Sequence, residues 1–132
     1  MATQTLTELG EAWVVHRMAA VGTYSAFQNL FVGWGSGTTT ANKTQTALTT
    51  ESADPGSAAR VSAAATTSGT GSAALWQEVI TCPSLSTQTV AEAGLFSTSG
   101  TAVMFVRGEF TGIPLVSGDS IVFTFTLNPA AV

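Results

Sequence analysis

Residues able to do acid–base or nucleophilic chemistry are few and far apart in this 132-residue chain. It has one histidine, His16, and one cysteine, Cys82. Eight carboxylates, Glu8, Glu11, Glu51, Asp54, Glu78, Glu92, Glu109 and Asp119, are scattered along it. A Ser-His-Asp triad would have to be built around His16, which lies between Val15 and Arg17 in a helical pattern, so a helix-surface or interface role is the simpler reading. Gly33-Trp34-Gly35-Ser36-Gly37 is glycine-rich but lacks the Lys-Ser/Thr end of a phosphate loop. It also holds Ser36 out of register for a nucleophile elbow. A tight turn after a strand fits it better. A glycosidase pair would need two carboxylates close in space, and the sequence nominates none. One His and one Cys give no metal-ligand spacing, so no catalytic residue, cofactor site or metal site is expected, and the chain does not read as an enzyme. Cys82, before Pro83, reads as a small buried residue at a strand end. Trp13, Trp34 and Trp76 could stack on sugars, but Trp34 and Trp76 lie in apolar strand patterns, where core packing is the simpler reading.

Composition narrows the classes further. Charged residues make up 9% of the chain and the net charge is −4. The four bases, Arg17, Lys43, Arg60 and Arg107, cannot neutralise a run of phosphates, which argues against nucleic-acid binding. No apolar run approaches the roughly 20 residues of a membrane-spanning helix. Met1 to Gly10 has no positive charge and no apolar h-region, so it does not read as a signal peptide. A single cysteine allows no internal disulfide and fits synthesis in a reducing cytoplasm. Among so few charges, Glu92, Arg60 and Arg107 fall in strand patterns, where they are expected to pair with one another or to anchor a loop.

The elements that must position these residues are mostly strands. With 22 Thr, 13 Ser, 13 Gly and 20 Ala, the chain suits short strands joined by small-residue turns rather than a helical bundle. One helix is expected, over Thr5 to Met18. Thr7 is its cap, Glu8 and Glu11 sit at its positive end, and Leu6, Leu9, Trp13, Val14 and Met18 form a stripe that ends before Gly22. Strands are expected over Gln28–Trp34, Arg60–Thr67, Ala73–Cys82, Thr87–Ser97, Thr101–Phe110 and Ser120–Leu127. Gly94 is expected to make a bulge or a bend between sheets. Asp54-Pro55-Gly56, Ser97–Gly100 and Ser117-Gly118-Asp119 read as turns, and Thr38–Ser57 as an ordered loop or edge strand. The sum is an all-β, jelly-roll-like β-sandwich over residues 23–132, led by a helix or arm over residues 1–22.

The order Val32-Gly33-Trp34-Gly35-Ser36-Gly37-Thr38, Thr46-Ala47-Leu48-Thr49-Thr50-Glu51, Arg60, Glu92-Ala93-Gly94-Leu95-Phe96, Arg107 and Gly118-Asp119 resembles a widespread group of small tailed-bacteriophage virion proteins. The resemblance covers about Gln28 to Leu127 and departs at Val90-Ala91, where an Ile-Thr-like pair would fit the pattern. It implies a structural virion protein, either a capsid cement (decoration) protein or a tail or fibre component able to bind host glycan. The cement reading implies a homotrimer on the capsid surface bound to the major capsid protein. There Leu6, Leu9, Trp13 and Arg17 of the N-terminal segment would contact a neighbour, and Gly33, Gly35, Gly37, Arg60, Glu92, Gly94, Arg107 and Asp119 would shape the turns and motif.

Overall fold

The computed structural model describes residues 3–18, 30–52, 60–62, 64–71, 75–100 and 103–127, with the backbone alone at Thr3, Trp13, His16, Arg17, Met18 and Leu75. Among the described residues, eight strands and one helix follow in the order β1 (Thr3–Leu6), α1 (Glu8–Met18), β2 (Phe31–Gly35), β3 (Val61–Ser62), β4 (Thr66–Ser68), β5 (Leu75–Pro83), β6 (Gln88–Phe96), β7 (Met104–Leu115) and β8 (Ser120–Leu127). Two antiparallel sheets form, one ordered β1-β7-β6-β2-β3 and the other β4-β5-β8. They close on a shared core that includes Val32, Trp34, Ile80, Cys82, Leu95, Phe105, Phe123 and Phe125. This is the all-β sandwich expected from the strand spacing; the pairing fixes a sandwich and not, by itself, a jelly roll.

The N-terminus differs from the expected helix over Thr5–Met18. Residues Thr3–Leu6 are a strand pairing Thr3 with Glu109 and Leu6 with Val106, and the helix begins only at Glu8. The cap explains the boundary. Thr7 is fully buried, its Oγ1 accepts the Gly10 N–H at 3.0 Å, and its own N–H donates to the Phe105 carbonyl at 3.1 Å. An N-cap residue has non-helical backbone, so a helix capped by Thr7 cannot include Thr5 or Leu6. Gly10 lies against the Phe105 carbonyl, where a Cβ would collide, so a residue that costs helix propensity is what lets α1 lie on β7.

The two sheets are buried differently. β8 alternates between exposed and buried along its length, as a strand with one solvent face must. In β6, by contrast, every residue from Val90 to Phe96 is buried. The inner face of its sheet meets the core, and the outer face is covered by residues 36–52 and by a second cluster of Leu48, Phe96 and Met104. Gly94 makes no bend between sheets: it pairs in register with Arg107 and Gly33, and the irregularities lie on either side of it, between Val90 and Glu92 and between Leu95 and Phe96. The expected strand Arg60–Thr67 is two short ones, β3 and β4, in different sheets. β7 runs past its expected end at Phe110, through Gly112 and Pro114 to Leu115. The helix end near Gly22 and the turn at Asp54-Pro55-Gly56 lie outside the described residues.

Candidate functional site: a loop anchored in a glycine trough

Across the outer face of the five-stranded sheet, register aligns Thr3, Glu109, Glu92 and Gly35 in one row and Thr5, Arg107, Gly94 and Gly33 in the next. Glycine at 35 removes one side chain from the first row, glycines at 33 and 94 remove two from the second, and together they leave a trough. Residues 48–52 lie in it. The Gly35 and Glu51 backbones form a β-bridge, Ser36 N–H donates to the Thr50 carbonyl at 3.1 Å, and Ser52 N–H donates to the Trp34 carbonyl at 2.8 Å. A Cβ at Gly35 would strike the Thr50 carbonyl, one at Gly37 the Glu92 carboxylate, and one at Gly33 would lie 2.6 Å from Glu51 Oε1. The glycine-rich motif is therefore a docking surface for the chain's own loop.

At the floor lies a fully buried ion pair. Arg107 Nη2 and Nε donate to Glu92 Oε2 at 2.7 and 3.0 Å, and neither side chain is exposed. The carboxylate also accepts three backbone N–H groups: Gly37 at 3.2 Å, Thr50 at 2.7 Å and Thr49 at 3.0 Å. Arg107 Nη1 reaches across to the Thr39 carbonyl at 2.8 Å and Gln45 Oε1 at 3.1 Å, and Nη2 donates to Thr49 Oγ1 at 3.3 Å. Burial alone would raise the Glu92 pKa. The backbone N–H bonds from Thr50 and Thr49 and the adjacent guanidinium outweigh it, and the carboxyl titrates below its ordinary range.

A second pair fixes the margin. Arg60 Nε and Nη2 grip Glu51 at 2.8 and 2.9 Å, while Nη1 donates to the Gly100 carbonyl at 2.7 Å, tying the β6–β7 turn to the loop. The guanidinium also stacks over the Phe96 ring, 3.4 Å from its centroid. At the loop's tip, Asn42 Oδ1 accepts from the Thr44 N–H and hydroxyl, and Gln45 Oε1 accepts from the Asn42 N–H. The Lys43 carbonyl accepts the Glu8 N–H, and Lys43 pairs with Glu11. Helix α1 and the loop tip thus form one continuous surface.

Of the motif residues, Gly33, Gly35, Gly37, Arg60, Glu92, Gly94 and Arg107 meet in this single assembly. Asp119 sits apart, closing the β7–β8 turn: its Oδ2 accepts the Val116 N–H at 2.8 Å, and its carbonyl accepts the Ser84 N–H. Gly118 there has φ of 97°, a conformation glycine adopts without strain. Leu6 packs against the chain's own core and Leu9 is 39% exposed, whereas the side chains of Trp13, His16 and Arg17 lie outside the described residues. Trp34 is buried, and Trp76 packs edge-on to Phe105 at 6.4 Å, so both serve the core. Cys82 is buried, and burial pushes its thiol pKa up to about 12. Among the described residues no group of three or more His, Cys, Asp or Glu is placed to hold a metal ion.

Sequence reasoning placed Arg60, Glu92 and Arg107 as pairing or loop-anchoring residues but did not single out Gln45, Thr39, Leu48 or Glu51. Only the Thr46–Glu51 motif segment pointed toward the last two. The fold and site define a β-sandwich that holds a long loop against one sheet by one buried and one partly buried ion pair. Compared with known protein families, curated proteins and solved structures, the chain shows no match.

Proposed function

We propose that the protein is a structural virion component of a tailed bacteriophage: a capsid cement (decoration) protein, made in the host cytoplasm, that binds the major capsid protein lattice on the capsid surface as a homotrimer. The observation that carries this reading is the anchored loop. Seven of the residues behind the resemblance to phage virion proteins, Gly33, Gly35, Gly37, Arg60, Glu92, Gly94 and Arg107, fix residues 36–52 to the sheet, and three ion pairs hold the loop and the helix beside it. What the loop turns outward is mostly neutral and polar, with Thr38, Thr39, Thr40, Asn42, Thr44 and Thr46 exposed beside one charge, Lys43, which pairs with Glu11. A surface ordered before contact loses little conformational entropy on binding, which suits a protein that must seat many identical copies on a lattice. The tail or fibre reading with glycan binding draws less support, because Trp34 and Trp76 face the core rather than solvent.

The test is co-sedimentation of the purified protein with empty capsids of the phage that encodes it, together with light scattering of the free protein. Saturable binding at a fixed ratio to the capsid subunit, by an oligomer near three times 13.4 kDa, is expected. A protein that stays in the supernatant, or one present in a few copies per virion that binds host cells, overturns the cement reading.

A further inference from the structure

The loop over residues 36–52 is held at two levels. Its root is fixed from the sheet: Glu92 accepts the Thr49 and Thr50 N–H groups, Arg60 grips Glu51, and the Ser52 N–H donates to the Trp34 carbonyl. Its tip, residues 40–45, is held differently. Asn42 and Gln45 fold it on itself, and Gln45 Oε1 accepts from Arg107 at 3.1 Å. Among the described residues, the one backbone bond between the tip and the rest of the protein runs from the Glu8 N–H to the Lys43 carbonyl, at 2.9 Å. The Lys43–Glu11 ion pair lies beside it, exposed on both sides and therefore a minor contribution.

Helix α1 needs that bond as much as the tip does. The first N–H groups of a helix have no partner within it. Here the Thr7 hydroxyl accepts the Gly10 N–H and the loop tip accepts that of Glu8. A helix of 11 residues is marginal in water by itself, and β1 is four residues at the end of its sheet, paired to β7. Thr7 joins the two. It is fully buried, its N–H donates to the Phe105 carbonyl and its hydroxyl to the Met104 carbonyl, both on or beside β7. Neither β1 nor α1 has the means to stay folded apart from β7, and they share one fastening.

We infer that the N-terminal segment, residues 3–18, is a latch on the loop tip. The docking of β1 and α1 on β7 and the ordering of residues 40–45 form one cooperative equilibrium, separate from the loop root and the rest of the sandwich. Coupling of this kind is reciprocal. A partner that clamps the tip also tightens the N-terminal segment, and one that draws the segment off β7 frees the tip while the root stays in its trough. The latch is a property of the free chain and does not rest on the cement reading.

The experiment is hydrogen–deuterium exchange of wild type, Thr7→Val and Asn42→Ala, read in peptides covering residues 3–18, 38–45, 48–52 and Ser120–Leu127. Thr7→Val keeps the side chain's shape and takes the hydroxyl from the Gly10 N–H and the Met104 carbonyl. Asn42→Ala deletes the two bonds from Thr44 that fold the exposed tip and removes no bond to β1 or α1. Each variant speeds exchange by about fivefold or more in the segment it does not touch, the lower end of coupling between sites, with 48–52 and Ser120–Leu127 unchanged. Faster exchange confined to the altered segment overturns the latch, because the two then open independently. Faster exchange throughout the chain in Thr7→Val overturns its separateness from the sandwich. Should Thr7→Val fail to fold, Asn42→Ala decides alone: unaltered exchange over residues 3–18 overturns the coupling.

Discussion

Replacing Arg107 with methionine tests whether the buried pair holds the loop. The substitution keeps an apolar stem of similar reach and deletes five donated hydrogen bonds, two to Glu92 and one each to the Thr39 carbonyl, Gln45 and Thr49. Glu92 stays fully buried with no countercharge, and breaking one side of a buried pair costs about 3–5 kcal/mol. Because three backbone N–H groups still solvate the carboxylate, the lower figure, about 3 kcal/mol, applies. That is a large share of the roughly 5–15 kcal/mol available to a single domain. At about 3–5 °C per kcal/mol for a chain of this size, the melting temperature falls by roughly 9–15 °C.

Urea titration followed by tryptophan fluorescence is the assay, since Trp34 is buried beside Phe123 and reports loss of the core. Limited proteolysis supplies the local readout: cleavage within residues 38–50 should appear before global unfolding. Glu92→Leu costs more than Arg107→Met, because it strands both the guanidinium and the loop N–H groups. The double variant is less destabilised than the sum of the two by about 2 kcal/mol, the coupling expected of residues in direct contact. Stability of Arg107→Met within 1 kcal/mol of wild type, with the loop still resistant to protease, would refute the reasoning.

Gly35→Ala forces the Thr50 carbonyl away from the trough and costs roughly 1–3 kcal/mol in a chemical melt, with loop cleavage accelerated. Glu92 titrates below its ordinary range in the folded protein, so its contribution is present above the unfolded value of about 4.3 and is lost as pH falls through the lower folded one. Acid melts should therefore hold steady at pH 5 and decline below that. In Arg107→Met the folded pKa of Glu92 moves up toward its unfolded value, so the variant is less stable at pH 7 but loses less of its remaining stability on acidification. Cys82, with its thiol pushed up to about 12, stays unmodified by a thiol reagent at pH 8 until urea unfolds the chain.

How much of this was legible in the sequence depended on how many faces each strand buries. β8 has one wet face, so its alternation of Ile121, Phe123 and Phe125 with Val122, Thr124 and Thr126 gave its ends correctly. β6 over Val90–Phe96 and β7 over Met104–Gly108 are covered on both faces, so alternation fades, and small or charged residues such as Gly94, Glu92 and Arg107 occupy positions that appear exposed by pattern alone. The Thr7 cap was legible because a hydroxyl before two glutamates is a local signal. β1 was not, since four residues gain strand geometry only from the β7 edge beside them. The anchoring role of Arg107 followed from the scarcity of charge. Its partners Thr39 and Gln45, more than sixty residues away in sequence, carry no local mark of the contact.

An apolar pair could cover the outer face of this sheet as well as Arg107 and Glu92 do, and exchanging a buried ion pair for well-packed hydrophobic residues is often neutral or stabilising. The loop's backbone is what makes that exchange unfavourable here. Gly37, Thr49 and Thr50 turn their N–H groups inward and Thr39 turns its carbonyl inward, in a segment that is neither helix nor regular strand and so supplies few partners of its own. A carboxylate can accept several N–H groups at once, and a guanidinium can serve a carboxylate, a carbonyl and a side-chain amide together. Methionine and leucine in their places would leave four backbone groups unpaired, each costing about 1–3 kcal/mol where water is excluded. The pair therefore acts as a substitute hydrogen-bonding partner for an irregular segment, and the glycines of the trough let that segment come close enough to use it. In the cement reading, this is what keeps the outward threonines in one fixed arrangement for the lattice to meet.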